Sequence, residues 1–205
     1  MAAYGPADFA RDFHVSRETL AALEAYAALL EKWNRKINLV GRETLADLWR
    51  RHFLDSAQLL PLLPERPPGR DLVIADIGSG AGFPGLVLAI LGAGEVHLIE
   101  SDQKKCAFLR EAARAAGADV AIHAQRIEEI AGLEADVITA RALAPLEKLL
   151  AYARPLLRPG GCALFLKGRG VEEELTAPGL PATMRVGRTP SRSDEAGAIL
   201  SIEGL

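Results

Sequence analysis

The sequence has little of what anchors, cross-links or metallates a protein. Its longest apolar run, Leu86–Leu91, falls far short of the roughly 20 residues that a helical bilayer span requires, so no membrane association is expected. The first residues, MAAYGPADFARDF, carry Asp8 and Asp12 and no apolar segment, so no signal peptide is expected. The only cysteines, Cys106 and Cys162, lie far apart in apolar surroundings. They make neither a metal-binding spacing nor a disulfide framework, which predicts core packing, no bound metal and a reducing, cytoplasmic setting. There is no internal repeat and no low-complexity tract. Positive charge is also short: the net charge of −3 excludes nucleic-acid binding driven by overall charge. It leaves a local basic face open, and the C-terminal half holds Arg141, Arg154, Arg158, Lys167, Arg169, Arg185, Arg188 and Arg192.

What is present reads as one α/β domain with a small extension, since 205 residues at 49% hydrophobic and 25% charged suit an ordinary globular chain. Residues 1–69 form the predicted helical extension. Ser16 is the expected N-cap of a helix whose buried face carries Leu20, Leu23, Ala27, Leu30 and Ile37, with Tyr26 and Trp33 at its margin. A second helical piece is expected from about Thr44 to Leu60. Pro61, Pro64, Pro67, Pro68 and Gly69 then mark a boundary. From residue 70 to 205 short apolar runs alternate with helical patterns. Strands are predicted at Leu72–Ile77, Val96–Glu100, Val120–His123, Val137–Ala140 and Ala163–Leu166. Helices are predicted at Pro84–Leu91, Gln103–Ala116 and Pro145–Leu157, with a short turn near Glu128–Ala131. That alternation predicts a mostly parallel sheet covered on both faces. Met184–Val186 and Ala198–Ile202 read as strands with no helix between them, which predicts an antiparallel finish.

The most informative stretch is Asp76-Ile77-Gly78-Ser79-Gly80-Ala81-Gly82-Phe83-Pro84-Gly85, between the first strand and the first helix of this part. Glycines at alternate positions after an acid make a tight turn whose backbone can lie against a ligand at the carboxyl end of a strand. Gly80-x-Gly82-x-x-Gly85 matches the dinucleotide fingerprint, with Glu100 about 20 residues on as a ribose acid. Asp76-x-Gly-x-Gly-x-Gly82 matches the loop of S-adenosylmethionine-dependent methyltransferases. A pyrophosphate wants free backbone N–H groups and no nearby carboxylate. S-adenosylmethionine carries an ammonium and a sulfonium, which a carboxylate at Asp76 suits. The methyl donor is therefore the favoured ligand and NAD the alternative, although Tyr4, Tyr26 and Tyr152 supply no Tyr-x-x-x-Lys for an oxidoreductase.

The other strand ends supply further candidates. Glu100 is placed to accept the ribose hydroxyls, and the backbone near Ile127 to hold an adenine. Arg141 and Lys167 each close an apolar strand with a cation, which makes them candidate catalytic residues. Arg126, Lys167 and Arg169 are candidate contacts to RNA. His14 and His52 are expected to be structural or surface histidines.

Several elements in order resemble one known family. Asn34–Val40 (NRKINLV), Arg51–Ser56 (RHFLDS), Asp76–Gly85 (DIGSGAGFPG), Glu100–Lys105 (ESDQKK), Arg141-Ala142 and Lys167-Gly168 are similar to elements of the glucose-inhibited division protein B family, the bacterial 16S ribosomal RNA guanine-N7 methyltransferases. Val40-Gly41 departs from the Thr-Ala that the family often has there. The resemblance implies a Rossmann-like class I methyltransferase sheet that binds S-adenosyl-L-methionine. It implies methylation of one guanine of 16S rRNA in the small ribosomal subunit, by a protein expected to act as a monomer. Carried over by position, Gly78, Phe83, Ile127, Glu128 and Arg141 would contact the cofactor, beside Asp76 and Gly80 from the loop itself and Glu100 from the end of the second strand. A methyltransferase acting on a protein or small molecule remains the rival.

The chemistry is consistent with the residues. There is no Asn/Asp-Pro-Pro-aromatic motif for an exocyclic amine, and neither cysteine is placed as a nucleophile for pyrimidine C5. Guanine N7 offers a lone pair and has no proton to lose, so its methylation needs alignment rather than a base. Asp76→Ala is expected to cost cofactor affinity, and Lys167→Ala to spare it while reducing turnover on RNA.

Overall fold

Each apolar run that the sequence marks as a strand forms one in the structure, a computed structural model that describes residues 4–176 and 184–205. The first part comprises α1 (Pro6–Phe13), α2 (Arg17–Asn34) and α3 (Arg42–Leu45). A π-helical turn (Trp49–Leu54) continues as α4 (Asp55–Ala57), and a 3-10 turn spans Leu60–Leu62. Then come β1 (Val73–Ile77), α5 (Gly85–Ile90), β2 (Glu95–Ile99), α6 (Gln103–Ala116), β3 (Val120–His123), β4 (Ala135–Arg141), α7 (Leu146–Ala153), β5 (Leu157–Lys167), α8 (Val171–Leu175), β6 (Arg185–Pro190) and β7 (Ala198–Glu203).

The strands make one sheet in the order β3-β2-β1-β4-β5-β7-β6. Strands β1 to β5 are parallel, and β7 runs antiparallel to both β5 and β6, as the missing helix between the last two runs implied. Because side chains alternate along a strand, the sheet feeds two cores. Ile74, Val96, Leu98, Val137, Leu164 and Ile199 pack on one face with α2, α5 and α6. Ala75, Ile77, Ile99, Ile138, Phe165 and Leu200 pack on the other with α7.

The boundary expected at residue 69 is one of connection, not of packing. Phe9, Leu23, Tyr26, Leu30 and Phe53 belong to the same apolar cluster as Ile74 and Val96. Ser16 caps α2 as expected, its Oγ accepting from Thr19 N at 3.1 Å. The buried face of α2 is rotated from the expected one. Tyr26 is at its centre with no exposure, whereas Leu20 is half-buried and Ile37 lies beyond the helix end. The Tyr26 ring packs on Phe53, Phe83 and Phe108, and its Oη donates a hydrogen bond to the carbonyl of Ala81 in the glycine loop. The predicted helix Pro145–Leu157 stops at Ala153, because Pro155 lacks an N–H and tightens the chain into a 3-10 turn, Arg154–Leu156. Helix α8 has no counterpart among the expected elements.

Candidate functional site

A cleft of about 650 Å³ opens at the carboxyl ends of β1, β2, β4 and β5. Its sheet-side wall carries Gly78–Ala81, Glu100, Ile127, Glu128, Arg141 and Leu143. The opposite wall comes from outside the sheet's core strands: Leu39–Gly41, Thr44, Arg51, His52 and Asp55 of the N-terminal part, and Ser191, Ser193 and Asp194 before β7.

The glycine loop is built for packing as much as for a ligand. Gly78, Gly80 and Gly82 all have positive φ, which side-chain-bearing residues rarely adopt. A Cβ on Gly78 would lie 2.5 Å from Leu143, and one on Gly82 would lie 2.8 Å from Tyr26 Oη. Asp76 lies beneath the loop, fully buried and outside the cleft lining. Its Oδ1 accepts from Thr139 Oγ1 at 2.9 Å and its Oδ2 from Gly85 N at 3.2 Å. Burial pushes its carboxyl up to about 6, against those two hydrogen bonds and the charge of Arg141. Direct contact with a cofactor ammonium, expected of Asp76 from its place in the motif, is therefore corrected. Asp76 holds the loop to β4 and α5, and a carboxylate with no exposed surface cannot reach a ligand.

Glu100 takes the ligand-facing position instead. It lines the cleft, with Oε2 accepting from Gly80 N at 2.9 Å and Oε1 from Asp102 N at 2.8 Å. The helix-capping acid of α6 is Asp102, which accepts from Lys104 N and Lys105 N. Three further loop donors are also spent: Gly78 N and Ser79 N on Ile99 O, and Gly82 N on Ser79 O.

Arg141 ends β4 among groups of the N-terminal part. Nη1 donates to Arg51 O at 3.1 Å and to Asp55 Oδ2 at 3.4 Å, and Nη2 donates to His52 Nδ1 at 2.8 Å. The guanidinium lies 4.9 Å from the ring centroid of Phe83, a cation–π contact. Phe83 in turn packs on Tyr26, His52 and Phe53. Asp55 also accepts from Gln58 Nε2 at 2.9 Å and from Ser193 Oγ, and Arg51 pairs with Asp194 at 2.9 Å. The π-helical turn therefore ties the strand end, the aromatic floor and the loop before β7 into one wall. Guanidinium has five N–H donors, and three are used here, which leaves two for a ligand.

The other candidates separate. Ile127 and Glu128 open a 3-10 turn at the cleft, and Arg126 stands exposed at its rim. Lys167 also lines the cleft, but its ammonium is held by Glu174 at 2.8 Å and by Ala144 O at 3.1 Å, with only 11% of the side chain exposed. Those contacts tie it to the loop carrying Leu143 and Ala144. Arg169 is exposed and lies outside the cleft lining. His52, structural or surface by its sequence, is buried and lines the cleft, while His14 is exposed. Asp55, Ser193 and Asp194 join the site without having been among its expected residues. Only the RHFLDS element carries a sequence signal for any of them.

The same sheet plan occurs in a ribosomal protein L11 methylase from Lactobacillus delbrueckii subsp. bulgaricus, with a TM-score of 0.55 at 22% identity over 72% of this chain and 77% of that one. It occurs too in MtNAS in complex with MTA and tNA, with a TM-score of 0.63 at 20% identity over 95% and 74% of the two chains. At these identities the likeness is one of fold. The family is given by sequence. A family model described as rRNA small subunit methyltransferase G (GidB) matches residues 19–187, and the chain is 58% identical over 198 residues to the ribosomal RNA small subunit methyltransferase G of Rhodospirillum centenum, covering 97% of this chain and 90% of that one. The chain belongs to the rRNA small subunit methyltransferase G family.

Proposed function

We propose that this protein methylates N7 of one guanine in 16S rRNA of the small ribosomal subunit, using S-adenosyl-L-methionine on a Rossmann-like class I methyltransferase sheet. The observation that carries this reading is the state of the glycine loop. Its N–H groups at Gly78, Ser79, Gly80 and Gly82 are all engaged within the protein, one of them by the Glu100 carboxylate. Such a loop offers a pyrophosphate neither a row of donors nor a favourable field, which disfavours NAD. It suits a cofactor with cationic groups and ribose hydroxyls.

Glu100 would hold the ribose, using the lone pairs that Gly80 N and Asp102 N leave free. Ile127 and Glu128 would flank the adenine, with Leu143 closing over Gly78. The two uncommitted donors of Arg141, above Phe83, would meet the carboxylate of the methionine part. When bound, S-adenosylmethionine supplies a methyl group on a positively charged sulfur. Transfer of that methyl group to the N7 lone pair, with the C–S pair left on sulfur, would release no proton, so no base would be required of the chain. The chain's task is to exclude water and align N7 in line with the methyl carbon. Arg141 is positive throughout, and its anchoring to His52 and Asp55 keeps that charge on the cofactor side, away from the guanine that becomes cationic at N7.

The test is transfer of label from methyl-tritiated S-adenosylmethionine to unmethylated small subunits. Label in 16S rRNA is expected. Label on ribosomal protein alone would favour the rival substrate class, and failure to bind the cofactor at all would overturn both.

A further inference from the structure

Where the RNA backbone lies follows from which cations are free to meet it. The C-terminal half looks basic in sequence, yet its cations are mostly neutralised. Arg158 pairs with Asp136, Lys167 with Glu174, Arg185 with Glu203, Arg188 with Glu172 and Arg192 with Asp12. The segment from Lys32 to Arg42 is different. It holds Lys32, Arg35, Lys36 and Arg42 and no carboxylate. All four side chains are exposed, and among the described residues none forms an ion pair.

The segment also has a built shape. The Asn34 side chain accepts from Leu39 N and Val40 N, both at 2.9 Å, and donates to Val40 O at 3.1 Å. That clamp turns the chain into a thin partition with two faces. On one face Leu39, Val40 and Gly41 wall the cofactor cleft. On the other, Asn34, Arg35, Lys36, Asn38 and Arg42 line a shallow groove of about 670 Å³, whose one acid is Glu31. A groove with unpaired guanidinium and ammonium groups and amide donors suits a run of phosphodiesters.

We propose that this groove seats the RNA backbone next to the target guanine, so that the base crosses the Leu39–Gly41 partition into the cleft while its flanking phosphates stay outside. The inference rests on the RNA substrate proposed above. It moves the electrostatic footprint from the C-terminal half, where Lys167 and Arg169 were expected to carry it, to the link between α2 and α3.

The experiment compares two triple variants with equal loss of charge. Arg35→Gln/Lys36→Gln/Arg42→Gln empties the groove. Arg17→Gln/Arg110→Gln/Arg114→Gln removes exposed cations from the far end of α2 and from α6. Methylation of small subunits is measured across 50–200 mM salt, with S-adenosylmethionine affinity by calorimetry. For the groove variant the KM for RNA should rise at least about tenfold, and the log–log salt slope should become shallower by about 2, as expected for three lost phosphate contacts. Its cofactor affinity should stay at the wild-type value. The control should shift KM by less than about twofold on the same electrostatic grounds. If the wild type labels RNA and the two variants behave alike, the groove is not the docking site. If the wild type leaves RNA unlabelled, it is the substrate assignment that fails. Should the triple groove variant fold poorly, Arg35→Gln and Arg42→Gln singly should each give about a third of the slope change.

Discussion

Arg141 donates through Nη2 to Nδ1 of His52 at 2.8 Å, and this one contact fixes the proton on the imidazole. Guanidinium has no lone pair, so Nδ1 must be the acceptor and the ring hydrogen sits on Nε2. Nε2 is buried with no partner among the described residues. The ring is thus a neutral prop kept for its acceptor. His52→Ala should leave a guanidinium donor unmet, costing about 1–3 kcal/mol in urea unfolding and weakening cofactor binding. His52→Asn, which can offer an oxygen near the same place, should recover part of both. Equal losses in the two variants would remove the acceptor role.

The buried residues His52 and Asp76 should leave opposite marks on stability between pH 4 and 6. Burial, then the charges of Arg141 and Arg51, push His52 down to about 3. Its unfolded form takes up a proton below the usual 6.5 and its folded form does not. Stability from this group is therefore full above pH 6.5 and is lost toward pH 3. Asp76 is raised to about 6, so the folded state holds its proton longer than the unfolded state does. Its contribution is full below pH 3.8 and is lost as pH rises through 6. Relative to wild type, His52→Asn should lower the slope of unfolding free energy against pH in this window, and Asp76→Asn should raise it, each by up to about 1.4 kcal/mol per pH unit. Denaturant titrations at four pH values would show whether the two slopes move in opposite directions.

Glu100 bridges the loop and the start of α6 through two backbone N–H groups, so charge and acceptor count both matter there. Glu100→Gln turns one acceptor into a donor that faces a donor. Calorimetry with S-adenosylmethionine should show affinity lower by about 10- to 100-fold, the range for losing a hydrogen bond to a charged group. An unchanged Kd would mean that the ribose is held elsewhere.

Lys167→Ala looks from sequence like a variant that spares the cofactor. The contacts of Lys167 argue for a different outcome. Glu174 Oε2, which holds the Lys167 ammonium, also accepts from Leu146 N at 2.6 Å, so the pair pins the Leu143–Leu146 loop over Gly78. Loss of the lysine should weaken cofactor binding by about 3- to 30-fold, the effect of one charged hydrogen bond lost from a positioning group. A fall in RNA turnover at unchanged cofactor affinity would instead place Lys167 on the RNA.

The strands, most of the helices and the glycine turn were legible in sequence because they rest on local signals: short β-runs of apolar residues, glycines where φ is positive, and Ser16 before a helix. What was not legible depends on contacts across many residues. Tyr26 reads as marginal by helical periodicity, and becomes central where Phe53, Phe83 and Phe108 pack around its ring and Ala81, 55 residues away, presents it a carbonyl. Asp76 reads as a ligand because motifs record position and not depth. The C-terminal arginines read as a basic face because their partners, such as Asp12 for Arg192, are remote in sequence. Arg51, His52 and Asp55 share a wall with Ser193 only after the chain has crossed the whole sheet.

Mapping the methylated atom tests the central claim most directly. A guanine carrying a methyl group at N7 is open to borohydride reduction, after which aniline cleaves the RNA chain at that residue. Small subunits treated with the protein and S-adenosylmethionine, then subjected to this chemistry and primer extension, should give one new stop in 16S rRNA, at a guanine, absent without cofactor. Methyl label retained in the RNA with no such cleavage would place the methyl group on another atom, and would contradict a site built for alignment without a base.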